Sequence, residues 1–124
     1  MLIGQFVAVA LGAVIGAWSR WGLGLVFNNS VFPFGTLTAN LIGGFLMGLA
    51  MAFFIATPSN NELRLFVMTG ALGGLTTFST FSAEAFGLLH KQQYVLASSH
   101  ILSHVVGSLV MTALGFWLFH ALKS

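Results

Sequence analysis

Gly70-Ala71-Leu72-Gly73-Gly74-Leu75-Thr76-Thr77-Phe78-Ser79-Thr80-Phe81-Ser82-Ala83-Glu84 sets a glycine pair and a run of hydroxyls inside an otherwise apolar segment. Each glycine costs a helix about 1 kcal/mol relative to alanine, so the sequence predicts a helix that breaks at Gly73-Gly74. A break frees peptide amides and carbonyls, which in lipid must meet protein, water or an ion. Interrupted helices at membrane depth therefore mark sites. Beyond the glycines, Thr77, Thr80 and Glu84 stand at i, i+3 and i+7 and share one helical face. Phe81 lies on that face, and Phe78 precedes it by three residues. Ring edges carry partial positive charge and hydroxyls donate hydrogen bonds, a combination suited to a small dehydrated anion. The competing reading packs the rings against neighbouring helices and bonds the hydroxyls back to the preceding turn.

The surrounding chain has the composition of an integral membrane protein. Of its 124 residues 57% are hydrophobic and 5% charged, with a mean hydropathy of +0.97, whereas a soluble domain is about a quarter charged. A spanning helix needs about 20 apolar residues. Four spans, near 2–27, 35–56, 62–90 and 94–122, fill a single all-α domain over 1–124 and leave no room for a soluble one. Cysteine is absent, so disulfides and thiolate ligands are excluded. The N-terminus lacks the basic segment of a signal peptide and reads as a retained first helix. Four basic side chains are too few for a nucleic-acid surface. No nucleophile, base and orienting acid recur at compatible positions, which argues against an enzyme.

In the first span Gly4, Ala8, Gly12 and Gly16 recur every fourth residue, a ladder that lets another backbone approach closely. Arg20 follows, either attracting anions at a pore mouth or reaching the interface beside Trp18 and Trp21. The second span carries Thr36, Asn40, Gly44 and Gly48 on one face. The carboxamide of Asn40 has two N–H donors to offer an anion, or a hydrogen bond to another helix. Glu84, the deep acid of the third span, is a candidate for ion or proton handling, or hydrates at the interface near Lys91. In the fourth span His100, His104 and Ser108 stand at i, i+4 and i+8. Two histidines so spaced can bind a metal. No third strong ligand lies near them in sequence, which favours a polar stripe facing a pore or a partner, with His104 and Ser108 deeper in the membrane than His100.

Four spans put Arg64 and Lys123 on one side and Lys91 on the other, joined there by Arg20 if it reaches that way. The Lys/Arg bias that normally orients a membrane protein is nearly balanced. Insertion in both orientations follows, and with it an antiparallel homodimer.

Three stretches together resemble the Fluc (CrcB) family of fluoride ion channels over essentially the whole chain. They are Gly73 to Glu84, Gly35-Thr36-Leu37-Thr38-Ala39-Asn40-Leu41-Ile42-Gly43-Gly44-Phe45, and Gly12-Ala13-Val14-Ile15-Gly16-Ala17-Trp18-Ser19-Arg20. The resemblance implies a dual-topology antiparallel homodimer with two narrow pores, in the inner membrane of a bacterium, that exports fluoride passively and protects the cell from it. It implies that Phe78 and Phe81 flank the permeating ion, that Asn40 donates to it, and that Ser79, Thr80 and Glu84 form a polar track bordered by His104 and Ser108. It further implies a structural sodium ion held by the backbone carbonyls of Gly73 and Thr76 across the dimer axis. Two rivals stay open on the residues alone: a proton-coupled exporter similar to the small multidrug-resistance proteins, and a non-transporting structural subunit. The first span has no acid, which counts against the exporter.

Overall fold

The computed structural model of the chain describes residues 1–123; Ser124, the last residue of the expected unit, lies outside them. Four helices are long and apolar enough to cross a membrane: Leu2–Phe27, Phe34–Ala56, Asn61–His90 and Tyr94–Lys123. We call the first two α1 (Leu2–Phe27) and α2 (Phe34–Ala56) and the last α6 (Tyr94–Lys123). The third span is composite. It begins with the single turn α3 (Asn61–Arg64), widens into a π-helical stretch (Leu65–Leu72), closes with α4 (Gly73–Leu75) and resumes as α5 (Phe78–His90).

The ends of these elements follow from local chemistry. The Asn60 side chain accepts the Leu63 N–H and caps α3. Asn28, in the first loop, accepts the N–H groups of Gly35 and Thr36 and so caps α2 from a distance. Pro58 follows α2 closely, and a helix cannot continue through it.

The interruption falls at Thr76-Thr77, not at Gly73-Gly74. Gly73 keeps helical angles (φ −64°, ψ −36°), while Thr76 (φ −90°, ψ 155°) and Thr77 (φ −151°, ψ 127°) are extended. Threonine, branched at Cβ, is at ease in extended backbone. Gly74 has a different task, which is close approach to α1, while Gly73 lies exposed. A Cβ on Gly74 would stand 2.7 Å from the Ala13 carbonyl oxygen, so the helix keeps its glycine for contact and breaks where its freed peptide groups find partners.

Packing runs along two seams, α1 against the third span and α2 against α6. On the first seam Gly12 and Gly16 are buried, as the ladder in α1 predicts. On the second, Gly48 lies against the Thr112 backbone of α6 and Gly115 against the Phe45 backbone of α2. Backbones that touch leave no room for side chains, which is how helices associate in lipid, where apolar surface gains nothing by leaving the solvent. α2 is the most buried span. The small core consists of Ala39, Ala50, Leu72 and Leu75, and large apolar side chains such as Phe6, Trp18, Trp21 and Trp117 face outward.

Gly48→Val should therefore part α2 from α6 and lower the thermal midpoint of the detergent-solubilised protein, with a cost of about 1–3 kcal/mol or more. Gly22→Ala, with nothing within 4 Å of the added carbon, should leave the midpoint unchanged or raise it. Equal midpoints for Gly48→Val and the parent protein would refute the close-contact account of the second seam.

Candidate functional site

The site is built around the gap between α4 and α5. Asn40, on the buried face of α2, reaches it and bonds to Thr77 twice. Its Oδ1 accepts the Thr77 N–H at 2.8 Å, and its Nδ2 donates to the Thr77 carbonyl at 3.1 Å. The Thr77 hydroxyl in turn accepts the Thr80 N–H at 3.1 Å and caps α5. In lipid an unpaired peptide group costs several kcal/mol, so these bonds are what allow an extended residue at this depth.

The contact with Thr77 fixes which way the Asn40 amide points, and this has a consequence for α6. Nδ2 also lies 2.9 Å from His104 Nδ1. Since that nitrogen of Asn40 is a donor, His104 Nδ1 accepts, and the proton of the neutral ring resides on Nε2. The order Thr77–Asn40–His104 thus links the third span, α2 and α6 in one hydrogen-bonded line.

Asn40, Thr76, Thr77, Phe78, Phe81, His104 and Ser108 line a cavity of about 330 Å³. Five of the residues predicted for an anion route therefore meet in one place: Asn40, Phe78, Phe81, His104 and Ser108. The phenylalanines differ in setting. Phe81 is 7% exposed and Phe78 77% exposed, with ring centroids 5.5 Å apart. Phe81 also stacks near His104, at 4.6 Å between centroids. Ser79 lies exposed, its hydroxyl 3.3 Å from that of Thr77, and Thr80 joins the track through its backbone.

Glu84 sits two turns further along α5 and opens into a second cavity of about 330 Å³, shared with Ser30, Pro33, Lys91 and Gln93 near the chain's loops. Its Oε2 accepts the Thr36 hydroxyl at 2.6 Å. Between the two cavities stand Phe81, His100 and His104. His100, although nearer the end of its span, is completely buried and is the largest fully buried side chain of the described residues. Its Nε2 lies 3.4 Å from Glu84 Oε1, and its ring centroid 4.4 Å from that of His104. Thr36 and His100 thus belong to the site although the resemblance points to neither. Their signals were the four-residue spacings Thr36–Asn40 and His100–His104.

Arg20 is tied to the third span. Its Nε donates to the Gly74 carbonyl at 3.2 Å, one of the acceptors left open at the end of α4. Gly73 and Thr76 flank that point. Thr77 N–H, which a continuous helix would direct to the Gly73 carbonyl, goes to Asn40 instead. A wider, apolar cavity of about 520 Å³ is lined by residues such as Leu46, Phe53, Phe54 and Phe119 and shares no lining residue with the two polar cavities.

Fold and site together define a multi-pass membrane protein with a polar cavity between its spans. Residues 7–116 match the model of the family described as CrcB-like protein, Camphor Resistance (CrcB), and the chain belongs to that family. A protein of Cupriavidus pinatubonensis is 53% identical over 120 residues, covering 94% of this chain and 95% of its own. One from Pseudomonas putida W619 is 51% identical over 123 residues, covering 96% of each. One from Marinobacter nauticus is 53% identical over 120 residues, covering 94% of this chain and 95% of its own. All three are named "Fluoride-specific ion channel FluC", the name of a channel and not of an enzyme.

Asn40→Ala leaves the Thr77 N–H, the Thr77 carbonyl and His104 Nδ1 without their partner, at roughly 1–3 kcal/mol for each group that stays unpaired. Thr77→Ala removes one helix cap, about 1 kcal/mol. Thermal unfolding followed by circular dichroism should rank Asn40→Ala well below Thr77→Ala; the reverse order would remove Asn40 from its place as the support of the break.

Proposed function

We propose that the chain forms a fluoride-selective channel through which fluoride leaves the cell passively, in the inner membrane of a bacterium. The observation that carries this reading is the cavity at the helix break. It is lined by carboxamide, hydroxyl and aromatic groups, with no fixed charge among them, in a chain that is about half identical to proteins named for fluoride conduction. Fluoride is small and strongly hydrated, so a pore must replace water contacts with donors and still release the ion. Ser79, Thr80, His104 and Ser108 supply polar hydrogens, Asn40 joins them when the ion replaces the Thr77 carbonyl or His104 Nδ1 as acceptor of one of its two N–H groups, and the ring edges of Phe78 and Phe81 supply weak positive potential. The amino-terminal end of α5 adds the positive end of a helix dipole. Glu84, held by the Thr36 hydroxyl, borders the second cavity and meets the ion before or after Phe81. Arg20, tied to Gly74, secures the break and lends its charge to the approach.

The functional unit in this reading is an antiparallel homodimer of oppositely inserted copies. Its support is the near balance of Arg20, Arg64, Lys91 and Lys123 and the wide apolar surface of the single chain. A structural sodium ion between the copies is part of the same proposal. The donor chemistry fits: Gly73 is exposed on the chain surface, its carbonyl is released by the diversion of Thr77 N–H to Asn40, and carbonyl oxygen is a hard ligand suited to a hard cation. Gly73 and Thr76 would hold it, and its positive charge would favour anions nearby.

Liposomes loaded with potassium fluoride or potassium chloride, with valinomycin to carry the counter-charge and an anion electrode outside, test the proposal. Rapid fluoride release with little chloride release is expected. Phe81→Ile should cut fluoride flux at least about tenfold, a loss of roughly 1.4 kcal/mol at the barrier, while the protein still elutes as a dimer. Release of neither anion from dimeric protein would overturn the channel reading. Three lysines added to one loop should impose a single orientation and abolish flux until an oppositely biased copy is co-expressed; full flux from one orientation alone would refute dual topology.

A further inference from the structure

The cluster between the two cavities has a donor set that anion conduction does not need. Glu84 on α5 and His100 and His104 on α6 each present one ligand atom, all within 4.8 Å of one another. Glu84 Oε1, both ring nitrogens of His100 and His104 Nε2 are buried without a hydrogen-bond partner. Such atoms are paired in nearly all folded proteins, and an orphaned group calls for a ligand. His100 is 0% exposed and His104 4% exposed, so both rings are held in place, by Phe81 against both and by Phe32 against His100.

We propose that Glu84, His100 and His104 form a binding site for a divalent transition-metal ion of the zinc type, and that an ion bound there closes the passage between the two cavities. Two imidazoles at i and i+4 with one carboxylate make a ligand set characteristic of zinc, with a fourth position open. One donor pair stands at the separation required, and the set as a whole, within 4.8 Å, must draw in around the ion. Zinc–nitrogen and zinc–oxygen bonds of about 2.0–2.2 Å place tetrahedral ligands roughly 3.3 Å apart, and His100 Nε2 lies 3.4 Å from Glu84 Oε1. The cavity that reaches Glu84 provides a way in. Magnesium, which demands octahedral oxygen ligands, is disfavoured by the histidines.

Binding moves one proton. The Nε2 proton of His104 must leave that nitrogen for the metal to take its lone pair. It passes to Nδ1, which keeps the ring neutral as a metal-bound imidazole must be, and there it meets the N–H of Asn40 and opens the 2.9 Å contact between them. Metal binding is thereby coupled to the residue that supports the helix break.

The test is direct titration of purified, tag-free protein with Co2+, whose visible spectrum reports nitrogen and oxygen coordination, followed by displacement with Zn2+ and with excess Mg2+. One Co2+ per chain, displaced by Zn2+ and not by Mg2+, is expected. Affinity should fall by more than about tenfold in His100→Gln, His104→Gln and Glu84→Gln, and stay unchanged in His90→Gln and His120→Gln. No Co2+ spectrum in the parent protein, or equal affinity in His100→Gln, overturns the site; so does a spectrum lost only with the surface histidines. Where a ligand variant fails to fold, the parent titration and the remaining variants decide. The closure is tested by the ratio of fluoride efflux with and without Zn2+, taken within each protein: a fall in the parent that is lost in His100→Gln supports it, and parent efflux unchanged by Zn2+ overturns it. That arm rests on the channel reading, whereas Co2+ binding does not, so failure of either is seen separately.

Discussion

A carboxamide closed on both backbone polar groups of one residue holds this molecule's site open. In a bilayer the peptide groups of an interrupted helix have no water to turn to, and each must be satisfied by protein. Asn40 accepts from the N–H of Thr77 and donates to its carbonyl, and Arg20 takes the neighbouring Gly74 carbonyl. With those groups paired, the chain can run extended through Thr76 and Thr77 and restart as α5 under the Thr77 cap. Every other feature of the polar route, from the outward turn of Phe78 to the position of Glu84, depends on that restart.

The same bonds couple elements that have little else to hold them. The described core is made of few side chains, because lipid gives apolar groups no reason to leave it and helix contacts rely on fit. The glycines in α1, α2 and α6 provide the fit by letting backbones touch, at Gly16 with the Ala71 backbone and at Gly48 with that of Thr112. Polar pairs provide the register. Asn40 to Thr77 and Thr36 to Glu84 both tie α2 to the third span, and Asn40 to His104 ties α2 to α6. Sliding α2 by one turn would separate all three pairs.

The centre of the chain is aromatic and basic in an unusual proportion. Phe32, Phe81, His100 and His104 enclose one another, with T-shaped or tilted rings 4.4 to 5.4 Å apart, and the carboxylate of Glu84 closes the group. This packing separates a cavity of hydroxyl and amide character from one of charged and loop residues. An ion passing between them must exchange one kind of partner for another beside Phe81.

Composition and hydropathy by themselves determined the four spans, since about 20 apolar residues per span leave no other use for a chain of this length. The ends of α1, α2 and α6 were legible to within about a residue because turn formers such as Asn28, Pro33 and Pro58 act locally. The buried faces of α1 and α2 were legible as well, from glycines and polar residues repeating every fourth position. Tertiary structure alone decided the rest. Whether Gly73-Gly74 bends the helix or only touches another was settled by α1, whose backbone lies against Gly74, and the break moved to the residue that Asn40 could reach from α2. The companion that turns His100 and His104 from a stripe into a cluster comes from Glu84, on a different helix and 16 residues earlier than His100. Contacts of that kind depend on the distance between helices, which no spacing along one helix encodes.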